Sequence, residues 1–506
     1  MKTWKNLIIP GIALVVLIAG LLVYNFIIKE KVPSTDSSTQ ASTSTVSLIS
    51  YEPYMISSIH ILSADGTGYS VASAAPAADG SMTWTFASDT EDYSKYALSQ
   101  PNLATFVSIM GSIDSIEQVA SGKDTFSEYG LDHPVYTIEY ILSSGEKHTL
   151  LLGNLTYDDA NIYCTLDDTG IVYTVNKIKA TKCGSSVLDF LDMDVLSVQD
   201  TDVASVTMKR SEDAVNVTIE GKMIPTADGT SSEFGWQFVS PFSTNASPTF
   251  GNLIDSVLSL SVTSFVEMNP QDISKYGLDD PAYIFNVMLN SGEQIQIILS
   301  RDMGGVYYGA STSSPAVFTL AASVITSLQA PLLELINPYL SYNYLFSVKH
   351  IDATFPEGSF FMDMDVKSGE NASDTDSKVS LNGQSAKVTG DSTSNNRSYF
   401  SLLFESVACM NISEFDFAST PINTKDISLI ITLTDSRQIT IDLAVRDENT
   451  YYAFIDGEYQ GFIVDKGELY RDNGTELTDY GVWPAYQLLT KAISEAIGGV
   501  YVLTES

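Results

Sequence analysis

The chain has 506 residues and a formal net charge of −36, from 62 acidic side chains against 26 Lys and Arg. That balance argues against nucleic acid as a partner, which calls for a basic footprint, and against direct docking onto anionic lipid. The acidity reads as the solubility of an exposed ectodomain. A calcium-loop reading fails, because Asp363-Met-Asp365 and Asp374-Thr-Asp376 lack the glycine and the distal glutamate such a loop uses.

Leu7 to Ile28 is a run of 22 residues without a charge. As a helix it spans about 33 Å, enough for a bilayer core of about 30 Å. It is longer than the apolar core of a cleaved signal peptide. A transmembrane signal anchor is therefore expected over 7–28, with a cytoplasmic tail at 1–6 and residues beyond it outside the cytoplasm, at the cell membrane. Residues 29–47 read as a Ser/Thr-rich linker, with a reach of about 20 Å for its 14 most polar residues.

From Leu48 the pattern becomes globular and repeats. Tyr129-Gly-Leu-Asp-His-Pro134 recurs as Tyr276-Gly-Leu-Asp-Asp-Pro281, and the ungapped stretches Tyr129–Asn154 and Tyr276–Arg301 share 11 identities. Three tandem units are expected: 48–195, 196–340 and a degenerate third at 341–506. In the first, Ile56 to Leu62 alternates like a strand and Trp84-Thr-Phe86 reads as another. Leu103, Phe106, Val107, Met110, Ile113 and Ile116 then form one helical stripe, with Asn102 as its N-cap. Asp124 to Gly130 reads as a short turn capped by Asp124 and stopped by Gly130 in the left-handed conformation. Leu131 is placed for the apolar contact after such a stop, Asp132 to accept backbone N–H groups in the turn, and Pro134 to begin an extended strand. A strand, the Ser144-Gly145 hairpin, a return strand and two meander strands follow.

The second unit repeats that order, with Trp236-Gln-Phe238, a helix from Leu253, the turn Tyr276, Gly277, Leu278, Asp279 and Pro281, and the hairpin at Ser291-Gly292. The third keeps the strands and the helix around Leu402 and Val407. It replaces the Gly-Leu-Asp turn by a stretch ending Thr420-Pro-Ile-Asn423. The expected fold class is α+β, an N-terminal transmembrane helix followed by three units of antiparallel meander plus helix.

Chemistry is sparse. The four histidines, His60, His133, His148 and His350, belong to no catalytic motif, and the second unit carries Asp280 and Ile295 at the positions of His133 and His148. No catalytic, cofactor or metal set is read. The repeated carboxylates Asp132/Asp279 and Glu146/Glu293 fit turn roles better than a glycosidase pair. For Cys164 and Cys183 a disulfide and two buried thiols both stay open, since the second unit places apolar residues at the corresponding sites. Two sets of tyrosines, Tyr51, Tyr54, Tyr93 and Tyr96 and Tyr339, Tyr342 and Tyr344, could serve sheet packing or a glycan- or peptide-binding face.

The N-terminal anchor, the Trp-x-Phe strand before a helix and the Tyr-Gly-Leu-Asp-x-Pro turn before a hairpin together resemble the bacterial domain of unknown function 4340 (DUF4340) family. Residues 84–175 carry the resemblance best and 236–320 nearly as well. The resemblance implies a membrane-anchored extracytoplasmic protein associated with ABC transport systems. The leading expectation is a non-catalytic docking or accessory component of an ABC-type transporter or another envelope complex. A cell-wall glycan or peptide binding module comes next, and an uncharacterised hydrolase after that.

Overall fold

The computed structural model describes residues 45–75, 80–94, 96–225, 231–367, 377–388, 398–472 and 480–495. The expected anchor at Leu7–Ile28, the tail before it and the linker up to residue 44 lie outside the described residues. Among the described residues no helix is long and apolar enough to cross a membrane.

The α+β expectation is corrected. The described chain is predominantly antiparallel β, in sheets of two, eight, nine and nine strands. Its longer helices are few and short: Gln100–Met110, Pro248–Leu258, Tyr399–Ala408 and Val482–Glu495. The apolar helical stripes had carried as much weight in the sequence as the strands. In three dimensions a single such helix covers only part of one face of a wide sheet, so strands set the class.

In the eight-stranded sheet the spatial order is Trp84–Ser88, Gly68–Ser73, Ile56–Ser63, Tyr136–Leu142, Lys147–Leu155, Asn161–Leu166, Ile171–Asn176 and Glu117–Ser121. The second large sheet runs Thr244–Asn245, Ser232–Ser240, Val217–Pro225, Val203–Arg210, Tyr283–Leu289, Gln294–Leu299, Tyr307–Ser311, Ala316–Leu320 and Ser264–Met268. The third runs Gln384–Ala386, Lys378–Leu381, Gly358–Asp365, Val348–Phe355, Ile427–Leu433, Gln438–Val445, Thr450–Ile455, Glu458–Asp465 and Glu414–Phe415. The order is the same each time. An opening meander stacks outward from a central strand, a second meander stacks to its other side, and the segment after the helix closes the far edge. The small sheet pairs Ser47–Ser50 with Ser112–Asp114, so the first described strand begins at the last residue of the stretch read as linker.

By density of contacts the chain divides into two compact units. One holds the described residues up to Thr90 with Ala104–Gly184, and the other Glu91–Leu103 with the described residues from Ser185 on. The first contains the eight-stranded sheet. Ile59, Ile61, Val71, Phe106, Val107, Met110, Ile138, Leu150 and Val172 are buried there, and the Tyr140 hydroxyl donates to the carbonyl of Met110 at 2.9 Å. The helical stripe stops at Met110 rather than running to Ile116. A Cβ on Gly111 would stand 2.7 Å from the Tyr51 carbonyl oxygen, so only glycine lets the chain turn there, and Ile113 is delivered to the small sheet. The Lys179 ammonium closes that helix end, donating to the carbonyls of Ile109 and Ser112 at 2.6 Å each. The helix also starts earlier than expected. Ser99 Oγ accepts from the Asn102 backbone N–H at 3.4 Å, so Ser99 is the capping residue. Asn102 instead donates through its side chain to the Asp189 carbonyl at 3.1 Å.

The second unit contains both nine-stranded sheets, and one buried core runs through them from Val195 to Leu489. Phe242 joins the two. It follows the second sheet's strand Ser232–Ser240 and is 1% exposed. Its ring centroid lies 5.1 Å from Phe415, 5.6 Å from Phe462 and 5.9 Å from Phe417, all from the third sheet's closing edge. The Ser243 backbone N–H also donates to Gln460 Oε1 at 2.8 Å.

Candidate functional site

The repeated turn was the first candidate. In the first unit a 3-10 turn spans Lys123–Tyr129, and Gly130 ends it at φ 70°, ψ 21°. The N–H groups of Gly130 and Leu131 both donate to the Phe126 carbonyl. In the second unit the turn is Ser274–Tyr276, Gly277 sits at φ 65°, ψ 25°, and the N–H groups of Gly277 and Leu278 go to the carbonyls of Ser274 and Ile273. Leu131 and Leu278 are each 2% exposed. Each motif tyrosine meets a tyrosine of the third hairpin-side strand. Tyr129 lies 4.7 Å from Tyr163, and Tyr276 lies 5.0 Å from Tyr308. Tyr276, Leu278 and Val317, with Ile298 and Tyr308 against them, make a small separate core. Ile298 neighbours Ile297 of the main core, and successive strand residues face opposite sides. The turn therefore lies across the sheet face away from the main core.

Two expected roles in the turn do not appear. Asp124 makes no cap, and Gly122 occupies the N-cap position without a side-chain hydrogen bond. Asp132 and Asp279 are exposed and accept no backbone N–H, because the turn's own carbonyls already take them. Glu146 and Glu293 follow hairpins whose serines, Ser144 and Ser291, accept their backbone N–H at 3.4 Å. Pro134 and Pro281 precede the strands Tyr136–Leu142 and Tyr283–Leu289.

The third sheet solves the same covering problem with charge. Hairpin register places Asp442 opposite Ser428, as Ile298 stands opposite Ile284. Asp442 is fully buried. It accepts from Ser428 Oγ at 2.7 Å and Asn423 Nδ2 at 2.9 Å, and Lys425 Nζ lies 3.1 Å away. Burial alone would raise its pKa, but the Ser428, Asn423 and Lys425 contacts outweigh that and hold it below 3.8. Lys425 occupies the left-handed region at φ 52°. Where the first two units spend a glycine and a leucine, this one spends a carboxylate and its donors.

Three of the four histidines are tied to carboxylates, and His133 is exposed. His60 pairs with Asp89, His148 with Asp167 at 2.6 Å, and His350 with Asp363 at 2.7 Å and Asp352 at 3.1 Å. For His350 burial lowers the pKa, but the two aspartates prevail and the net shift is upward. His60 and His148 belong to the first compact unit and His350 to the second compact unit. No group of His, Cys, Asp or Glu able to hold a metal ion occurs among the described residues. Cys164 and Cys183 are buried thiols without a bridge, and burial pushes each up to about 12.

Concavities of the second compact unit include one of about 390 Å³ beside Tyr283 and Tyr307 and two others. The smaller of these, of about 260 Å³, is polar and touches Tyr339, Glu405, Asn411, Glu468 and Arg471. Asn411 donates to Glu468 Oε2 from its backbone and side-chain nitrogens, at 2.9 and 3.2 Å. The larger, of about 840 Å³, is a groove between the second and third sheets. Leu332, Leu333 and Val215 form one wall, and Phe415 and Phe417 the other. Arg210 builds the first wall from beneath. It is fully buried, pairs with Asp213 through Nε at 2.6 Å and Nη2 at 2.8 Å, and donates through Nη1 to the carbonyls of Leu328 and Ala330. The Phe242 cluster and Gly461 hold the second wall. At φ 87°, Gly461 would bring a Cβ to 2.4 Å from the Phe417 ring.

Sequence reasoning missed this groove. Arg210 at the end of a strand before Ser-Glu-Asp was the available sign, since an arginine closing an apolar strand needs an acceptor nearby. The aromatic ladder at Tyr339, Tyr342, Tyr344 and Phe346 is present, with successive centroids 5.5, 5.1 and 5.4 Å apart.

A family model described as domain of unknown function (DUF4340) matches residues 84–233 and 236–427, more than half of the chain. Both stretches begin at a tryptophan of a Trp-x-Phe strand, Trp84 and Trp236. No curated protein and no solved structure matches the chain.

Proposed function

The chain belongs to the family described as domain of unknown function (DUF4340), and from that premise we propose that it is a non-catalytic docking protein of the cell envelope. In this reading the uncharged run Leu7–Ile28 holds it at the membrane, the folded units lie outside the cytoplasm, and the partner is an ABC-type transporter or another envelope complex. The observation that carries the reading is the groove of about 840 Å³. Its walls are apolar and aromatic, a composition enriched at the centres of protein interfaces. They are fixed by the buried Arg210 clamp and the Phe242 cluster rather than by loose loops, and a preformed surface loses less entropy on binding.

The test is purification of the full chain from native membranes. Ala418 is an exposed groove residue and Tyr157 an exposed tip of the first sheet. Partners should co-purify with wild type and with Tyr157→Arg, and be lost with Ala418→Arg. Equal recovery of partners with both variants, or recovery of the chain alone in several detergents, refutes the reading.

The aromatic ladder from Tyr339 to Phe346 favours a second reading, binding of cell-wall glycan or peptide. Retention of the wild-type chain on purified cell wall, abolished by Tyr342→Ala, would favour it over docking.

A further inference from the structure

We infer that the groove takes an extended, cationic and apolar polypeptide segment of the partner, which adds as a strand beside Glu414–Phe415. The inference rests on the docking reading above and specifies its occupant. Three features of the groove carry it.

The first is charge. Among the described residues fourteen line the groove; Glu212, Asp213, Glu414 and Asp416 are among them, and none is Lys, Arg or His. Asp213 is neutralised by Arg210 from below, and Arg446 offsets one of the pair Glu414 and Asp416. The rim is left net negative, on a chain of charge −36. A second copy of this chain, a nucleic acid or an anionic lipid would meet like charge there. A segment bearing Lys or Arg would meet the opposite.

The second is the wall itself. Among the described residues Glu414–Phe415 is the last strand of the third sheet and pairs on one side only, with Glu458–Asp465. An edge strand offers its remaining backbone groups to an incoming strand. The third is alternation. Side chains of an added strand point alternately to the two faces. One set would enter between Leu333 and Phe417, and the other would project toward the carboxylates.

The probe is a capped, fluorescently labelled Lys-Val-Lys-Val-Lys-Val peptide, titrated onto the full chain in nanodiscs of neutral lipid. The comparators are a Glu-Val peptide and a Lys-Val peptide N-methylated on alternate backbone nitrogens. The Lys-Val peptide should bind and the two comparators should not. Raising salt from about 50 to 500 mM should weaken binding about tenfold, because the Debye length shrinks severalfold. Glu212→Gln with Glu414→Gln should weaken it about fivefold, as expected for two exposed pairings of about 0.5 kcal/mol each. Binding of the Glu-Val or methylated peptide equal to that of Lys-Val overturns the inference, as does no binding by any of them. The docking reading fails separately, if Ala418→Arg leaves the native partners in place.

Discussion

Alanine at Gly130 and at Gly277 should not cost the same, although the two residues sit in copies of one motif. Both glycines are left-handed, at φ 70° and 65°. An alanine there costs about 1–2 kcal/mol in backbone strain alone. At Gly277 the new Cβ would meet Met303 Sδ at 3.1 Å, the end of a flexible, exposed side chain that can step aside. At Gly130 it would stand 2.6 to 2.8 Å from Oδ1, Cγ and Nδ2 of Asn154. That amide also ends an exposed side chain, but it stands closer than Met303 and has to leave its present rotamer, which adds about 0.5–1.5 kcal/mol. The assay is hydrogen exchange by mass spectrometry on the full chain, read at Tyr136–Leu142 and Lys147–Leu155 for the first site and at Tyr283–Leu289 and Gln294–Leu299 for the second. Gly277→Ala should speed exchange of its strands about tenfold and Gly130→Ala about fiftyfold, since 1.4 kcal/mol is a factor of ten. Equal acceleration at the two sites, or a larger one for Gly277→Ala, refutes the reasoning.

Phe242→Ala should destabilise the body formed by the second and third sheets by about 3–5 kcal/mol, seen as a lower urea midpoint in Trp fluorescence and faster exchange at Glu458–Asp465. Gly251→Ala should do the reverse. Gly251 is helical with nothing within 4 Å of a new Cβ, so alanine should stabilise by about 0.5–1 kcal/mol in the same titration. Asp442 has a folded pKa below its ordinary 3.8. Its contribution is therefore present above the unfolded pKa and is lost as pH falls through the lower folded value. Protection of Ile427–Leu433 should fall as pH drops below about 4, and Asp442→Asn should remove that part of the pH dependence.

What the sequence disclosed was local backbone chemistry. A glycine after a short turn, followed by a leucine and then a proline, has few conformations open to it, and Gly130 and Gly277 both take φ near 70° with the leucine buried behind. The hairpin glycines Gly145 and Gly292 are positive-φ for the same reason. The family, too, could be read from these residues and from Trp84 and Trp236. Misread were features that depend on what packs opposite. Ile113 and Ile116 keep helical spacing with Met110, and only the nearness of the Tyr51 carbonyl to Gly111 takes them out of the helix. Asp132 and Asp279 looked like turn acceptors, but the backbone already supplied the acceptors. The groove was invisible because its walls, Leu332–Leu333 and Phe415–Phe417, lie some 80 residues apart and are joined through Phe242, a residue with no local pattern around it. The α+β class failed because helical periodicity is conspicuous in sequence while edge strands of two or three residues are not.

The central claim is that the groove between the second and third sheets is occupied by a partner. It is tested most directly by placing a photo-crosslinking amino acid at Ala418, and in a parallel chain at Tyr157, followed by irradiation of intact native membranes. The account predicts a discrete heavier adduct from position 418 and none from position 157. Adducts from position 157 alone, or none from either, would contradict it.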